Sequence, residues 1–392
     1  MSTLYSKLGV SSSKEDVHEA MGQLRNSSDA TAFCQVIDDG SQYYQLLHAD
    51  GAGSKSIVAY LHYKETGSSK IFESLAIDSS VMNTDDMLCV GCTDGFILSN
   101  TIGRNSHRVG KDILASIMLG YQHFADSMRP FGITISLCGG ETADVGDIIS
   151  TLIVDSTMYA RFPKSRFIDA GKINQNPNNV IVGLSSFGKA SYESTINSGI
   201  GSNGFTVARH ELLSKKYGEK FPETFSNTIN PSSVYNGQFS LSDALPGSSQ
   251  TVGDALLSPC RTYLPVMAKV FDIYGDKIRS VIHNTGGGIT KSLNFSSGMH
   301  YIKDNLFDLP PIFEAIKNNS DTNIKDMWSV FNCGQRLEIS CDSSVAAGII
   351  EISQSLGVEA KIIGYTEPLK DSSTNKVSIS HNGVTEEYVK TL

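Results

Sequence analysis

Apolar residues recur every three to four positions between 111 and 128. Ile113, Leu114, Ile117, Met118, Tyr121, Phe124, Ala125 and Met128 fall on one stripe, and Pro130 and Gly132 close the run. That period predicts an amphipathic helix buried along one side. A second helical pattern over 72–90, carried by Leu75, Val81, Met82 and Leu88, also holds Asp78, Asp85 and Asp86. Seven or eight residues make about two turns, so Asp78 shares a face with Asp85 and roughly with Asp86. Three such carboxylates are either a solvated face or part of a site, and the apolar setting of Thr84-Asp85-Asp86-Met87-Leu88 weighs against plain solvation. Further helices are predicted at 14–21, 205–216, 263–274 and 345–356. Short apolar or alternating runs predict strands at 43–47, 133–138, 148–154, 180–184, 280–282, 336–340 and 360–363. Residues 166–179 are poor in apolar side chains and rich in asparagine, which divides the chain into expected domains at 1–172 and 173–392.

Composition narrows the functional class. A chain of 392 residues exceeds what one core usually organises. With 32 Lys and Arg against 41 Asp and Glu, the net charge is −9, which argues against a nucleic-acid surface. An anionic substrate must then be held locally, by loops and metal. The seven cysteines are odd in number and scattered, so reduced thiols are expected; Cys89 and Cys92 form a lone C-x-x-C, poor grounds for zinc. No apolar run resembles a signal peptide or a membrane span, and a cytoplasmic protein is expected.

Candidate chemistry gathers at three places. Asp50-Gly51-Ala52-Gly53-Ser54-Lys55 offers a carboxylate for a cation, glycines that let backbone N–H groups converge on an anion, and an ammonium. It is not a Walker A loop, and an ordinary turn is the other reading. Gly139-Gly140-Glu141-Thr142-Ala143-Asp144, expected just beyond the 133–138 strand, is a second set of the same kind. His283-Asn284-Thr285-Gly286-Gly287-Gly288 follows a strand, and three consecutive glycines fit a sharp turn or a backbone lying against a ligand. Two motifs mislead. The stretch 183–190 nearly spells Walker A, but Ala190 stands where a hydroxyl must reach magnesium. The run 199–204 matches G-x-G-x-x-G without the strand and acidic end of a dinucleotide fold. Ser202 or Asn203 would then cap a helix facing an anion.

The motifs HADGAGSK, IDSSVMNTDDMLCVG, GGETADVG, GLSSFG, GSNGFTVAR, ALLSPCRTY, HNTGGGI, PPIFEAI and MWSVFNCG occur in that order. Together they resemble the PurM family, and within it the phosphoribosylformylglycinamidine cyclo-ligases, also called AIR synthetases, from about Tyr5 to about Gly364. The resemblance implies an α+β, PurM-like two-domain fold, with an N-terminal mixed sheet pairing across a homodimer and a C-terminal α/β domain. It implies ATP and Mg²⁺ as cofactors and ring closure of formylglycinamidine ribonucleotide as the reaction. On this reading Asp50, Asp86 and Glu141 are the metal candidates. Gly51, Gly53, Lys55, Gly139, Gly140 and Thr142 would surround the nucleotide. Ser202, Asn203, Gly204, His283 and Thr285 would face the ribotide, with His283, Asn203 and Lys55 the catalytic candidates.

The chain departs from the family's pattern where a histidine before Ser-Asn-Gly is replaced by Gly201, where 189–200 is inserted, and where Gln335-Arg336 follows Asn-Cys-Gly. Arg336 or the insertion is the expected replacement for that histidine. The competing expectations are another ATP-using member of the superfamily, such as a thiamine-monophosphate kinase, and a nucleotide-binding homologue without turnover.

Overall fold

The computed structural model describes Leu8 and residues 31–392 apart from 321. The helix expected at 14–21 lies outside these residues. In chain order the first half runs β1 (Ile37–Asp38), β2 (Tyr43–Gly51), α1 (Lys55–Thr66), α2 (Glu73–Leu88), β3 (Phe96–Arg104), α3 (Lys111–Met128), β4 (Ile135–Asp144) and β5 (Leu152–Pro163). Its five strands form one sheet in the order β1-β2-β5-β3-β4, antiparallel except for the parallel β3–β4 pair. Helices α2 and α3 cover one face. On the other face Leu47 is 65% exposed, and Ile97 and Ile153 are also open.

The helix α3 has the bounds its stripe predicts. Its neighbour α2 is unusual because nearly every side chain on it is buried, polar ones included. The helix satisfies some of these against itself: Ser80 Oγ donates to Ala76 O at 2.8 Å and Asn83 Nδ2 to Ser79 O at 3.0 Å. The rest must be met from outside, because a buried polar group without a partner costs about 1–3 kcal/mol.

Three expectations shift. The strand beginning at 43 continues through Asp50 and Gly51, so these sit on a strand end and only residues 52–54 turn. The Gly-Gly-Glu-Thr-Ala run does not follow a strand; it lies within β4. Pairing survives because β4 bulges against β3: Leu98 faces Leu137 and Asn100 faces Gly140, with Gly139 at φ +95° taking up the extra residue. Residues 148–150 are a turn, and β5 starts at Leu152.

The second half runs β6 (Asn179–Ser185), β7 (Phe187–Gly188), β8 (Asn197–Ser198), α4 (Phe205–Leu212), α5 (Leu264–Tyr274), β9 (Ile278–His283), β10 (Met299–Lys303), β11 (Gln335–Cys341), α6 (Ala346–Ser355), β12 (Ala360–Pro368), β13 (Thr374–His381) and β14 (Val384–Thr391). Seven of these strands form a mixed sheet in the order β14-β13-β10-β12-β6-β11-β9. The helix expected at 205–216 ends at Leu212. Helix α5 packs against α2, so α2 is enclosed between its own sheet and the second unit. No helix among the described residues is long and apolar enough to cross a membrane.

Helices α2 and α3 meet at Gly120, where an added Cβ would stand 2.4 Å from Glu73 O and 2.9 Å from Ala76 Cβ. Gly120→Ala is therefore expected to destabilise the protein by about 1–3 kcal/mol despite alanine's better helix propensity. Urea unfolding measures this; an unchanged or raised midpoint would show that the two helices can separate freely.

Candidate active site

The site is built where the end of β2, the last turns of α2 and the end of β9 converge. Asp50 lies on β2 opposite Ser156 of β5, in a row whose side chains face α2. Its Oδ1 accepts from Gly51 N–H at 2.7 Å. Burial and the neighbouring Asp86 carboxylate both raise its pKa. Asp86 accepts a 2.7 Å hydrogen bond from His283 Nδ1 across the junction of the two units, and His48 Nε2 lies 3.6 Å from its other oxygen. Burial alone would raise the Asp86 carboxyl, but the Lys291 ammonium and the His283 hydrogen bond outweigh it and hold it at about 2.

His283 is fully buried. Its Nε2 receives the Nε–H of Arg336 at 2.9 Å, and burial together with that guanidinium holds its pKa down at about 4. The imidazole is thus neutral near pH 7, with its hydrogen on Nδ1. Thr285 accepts a short hydrogen bond from Lys291 Nζ, which also stacks over Phe33 at 4.4 Å. Ser202, Asn203 and Gly204 form the turn into α4, with Gly204 at φ +75°. Ser202 Oγ sits 3.4 Å from Cys260 Sγ, and Asn203 Oδ1 is buried without a partner among the described residues. A cavity of about 860 Å³ opens beside this turn, lined by Gly53, Ser54, Thr206 and Arg209 among others.

Five expected site residues are elsewhere. Lys55 does not point at open space: its three N–H groups go to Asp78 at 3.1 Å, Gly201 O at 3.1 Å and Ser258 O at 2.5 Å, and it is fully buried. Glu141 shares a row with Thr101, Asp155 and Gly51, which projects from the face opposite Asp50. Three strand spacings, about 14 Å, separate it from β2. Gly139, Gly140 and Thr142 are exposed beside it on the sheet edge. The metal set Asp50, Asp86 and Glu141 is therefore not assembled within one chain. Among the described residues no group of three His, Cys, Asp or Glu side chains is placed to hold a metal ion.

The other two helix carboxylates join the units. Asp78 accepts from Cys260 N–H at 2.7 Å, and Asp85 accepts from Thr262 Oγ1 at 2.7 Å and Tyr263 N–H at 2.8 Å. Burial pushes Asp85 up to about 7, against the pull of those donors. Residues 189–200, the expected insertion, brace the same segment. Glu193 grips Arg261 through both oxygens, Tyr192 Oη donates to Thr262 O, and Asn197 Nδ2 donates to Pro259 O.

The model of the AIR synthase related protein N-terminal domain matches residues 29–161, and that of the corresponding C-terminal domain matches 176–375. The chain belongs to the AIR synthase related family. Among its relatives is the phosphoribosylformylglycinamidine cyclo-ligase of Methanococcus vannielii, 29% identical over 83% of this chain and 78% of that one. The enzyme of the same name from Pseudothermotoga lettingae is 26% identical over 88% of both chains. Solved structures share the fold at 11% identity. The Thermotoga maritima PurL chain complexed with ADP aligns with a TM-score of 0.52 over 98% of this chain, which spans about half (49%) of that one. A chain of the HypE–HypF complex aligns at 0.55 over 96% of this chain and 99% of its own length. The two-unit α+β architecture is thus that of the PurM-like fold.

In this AIR synthase related chain, His48, Asn83 and Arg209 lie within the quoted motifs without having been picked out as site residues, and Lys291 lies outside them. His48 had a signal, since it precedes Asp50 by two on a strand and so shares its face. Asn83, whose Oδ1 accepts from His48 Nδ1 at 2.9 Å, lies one helical turn before Asp86. Lys291 and Arg209 carry no spacing that sets them apart from ordinary surface cations.

Removing the Lys55 ammonium leaves Asp78 as an uncompensated buried charge. Lys55→Met is expected to cost about 3–5 kcal/mol of stability, read by urea unfolding with Trp328 fluorescence; a loss below about 1 kcal/mol would mean the pair is not what joins the units.

Proposed function

We propose that the protein closes the imidazole ring of 5-aminoimidazole ribonucleotide from formylglycinamidine ribonucleotide at the expense of ATP. The observation that carries this reading is the meeting of Asp50 and Asp86 with His283 across the junction of the two units. It occurs in a chain aligned over more than four-fifths of its length with relatives named for that reaction. An amide oxygen is a poor leaving group. ATP therefore phosphorylates it, the amidine nitrogen attacks the same carbon, and the oxygen departs with phosphate. Such a reaction needs positioning and charge neutralisation more than covalent help from the protein.

A pair of neighbouring carboxylates, in which Asp86 makes Asp50 harder to ionise, fits a hard dication, and Mg²⁺ characteristically takes one or two carboxylates and completes its shell with phosphate oxygens and water. Asp50 and Asp86 would hold it, and when bound it neutralises the ATP phosphates. Lys291 supplies a further cation beside them. Gly51 and Gly53 would line the nucleotide's side of the loop. Ser202, Asn203, Gly204 and Thr285 would face the ribotide, with the unpartnered Asn203 Oδ1 available to an N–H donor. His283, with both nitrogens engaged, orients Asp86 and moves no proton in this scheme. Lys55 holds the units together.

The open apolar face of the first sheet supports a homodimer, in which Glu141, Gly139, Gly140 and Thr142 of a second copy would complete the nucleotide site. The separation of the two sheets supports domains at 1–172 and 173–392, and seven unpaired thiols support a reducing, cytoplasmic setting.

Incubation of the purified protein with Mg·ATP and formylglycinamidine ribonucleotide is expected to release ADP only when the ribotide is present. ATP binding without ribotide-dependent release would favour a nucleotide-binding homologue, and release driven by thiamine monophosphate would favour the kinase-like reading.

A further inference from the structure

Arg336 is enclosed, with 1% of its surface exposed, at a point where β11 slips against β6. Gln335 faces Ser185 and Leu337 faces Leu184, so Arg336 is the extra residue of a bulge. A bulge turns its side chain out of the strand's alternation. Here the guanidinium is turned onto Gly201. A Cβ at 201 would stand 1.7 Å from Arg336 Nη1 and 3.0 Å from Cζ. The guanidinium therefore fills the space in which a side chain at 201 would begin. Gly201 also sits at φ +73°, so glycine serves both the backbone and the neighbour.

The contacts of this cation are poor for mere packing. Its Nη2 lies 3.2 Å from Met82 Sδ, a weak acceptor, and no oxygen among the described residues accepts a hydrogen bond from it. Burying a cation on such terms is costly unless the arrangement serves a site. Its Nε–H reaches His283 Nε2 at 2.9 Å. An arginine can only donate, so Nε2 must keep its lone pair and the ring hydrogen must stand on Nδ1, aimed at Asp86 Oδ1. Arg336, His283 and Asp86 thus form one directed line from the second sheet to α2.

We propose that Arg336 and Gly201 act as one unit, in which the guanidinium takes the side-chain space of residue 201 and positions His283, and through it Asp86, for the ATP-dependent reaction. The reaction is that of the preceding subsection; the geometry stands apart from it. Arg336 is a positioning residue. Its removal would free the imidazole to tilt and would loosen the hydrogen bond that Asp86 receives from it.

The test uses the full chain and three variants, R336M, R336A and G201A. Histidine ¹⁵N spectra without nucleotide or metal read the ring directly. In the wild type His283 Nε2 is expected to be the lone-pair nitrogen, and both R336M and G201A are expected to move its resonance. This readout is independent of the substrate, so if it holds while ribotide-dependent ADP release is absent, the reaction is misassigned and the positioning unit stands. In turnover, R336M is expected to lose about 10- to 100-fold in kcat with KM for ATP within about twofold. G201A is expected to lower kcat when Arg336 is present and to add much less loss to R336A, where only the backbone cost of alanine at φ +73° remains. Added guanidinium, but not the equally shaped and uncharged urea, is expected to restore R336A, which serves if R336M does not fold. An unmoved Nε2 resonance in both variants, wild-type kcat in R336M, or additive losses in G201A/R336A would overturn the proposal.

Discussion

Everything in the structure turns on how the carboxylates of one buried helix are satisfied. Asp78, Asp85 and Asp86 leave α2 inside the molecule, where an unpaired charge would cost several kcal/mol. Each finds its partners in the second half of the chain, through Cys260 N–H, Thr262 with Tyr263 N–H, and His283. Lys55 adds its ammonium to Asp78 and reaches two carbonyls of the other half. The junction between the sheets is therefore fixed by directed polar bonds as well as by apolar area, and its geometry is correspondingly specific.

The same constraint separates joining from chemistry. Asp78 and Asp85 have donors enough and are closed off. Asp86 is held by one hydrogen bond from His283, keeps its second oxygen toward His48, and stands beside Asp50. That is the residue with coordination to spare. The 189–200 segment works on the joining side, because its hydrogen bonds go to Pro259, Arg261 and Thr262. Arg336, reaching over Gly201, bonds instead to His283 beside Asp86.

Much of this was legible from residue order. The stripe at 111–128 gives a helix with those same ends, because an uninterrupted 3.6-residue period closed by proline leaves little choice. The carboxylates of α2 stood out because they interrupt apolar surroundings. Asp50, Asp86 and His283 were picked out by motif order, and the structure brings them together. What could not be read was partnership. Lys55 belongs to a phosphate-like sequence, yet a lysine on the first turn of a helix can face inward or outward, and here Asp78 draws it in. Glu141 was grouped with Asp50 on the family resemblance, but a glycine bulge keeps its strand paired and carries it to the opposite face. Strand alternation fixes a face only once the register is known.

The central claim is that this junction holds an amide oxygen where ATP can phosphorylate it. Formylglycinamidine ribonucleotide labelled with ¹⁸O at the amide oxygen tests that claim most directly. Turnover with unlabelled ATP should place one ¹⁸O in each released phosphate, as mass spectrometry would show; label recovered in water or retained on the product, with phosphate unlabelled, would contradict it.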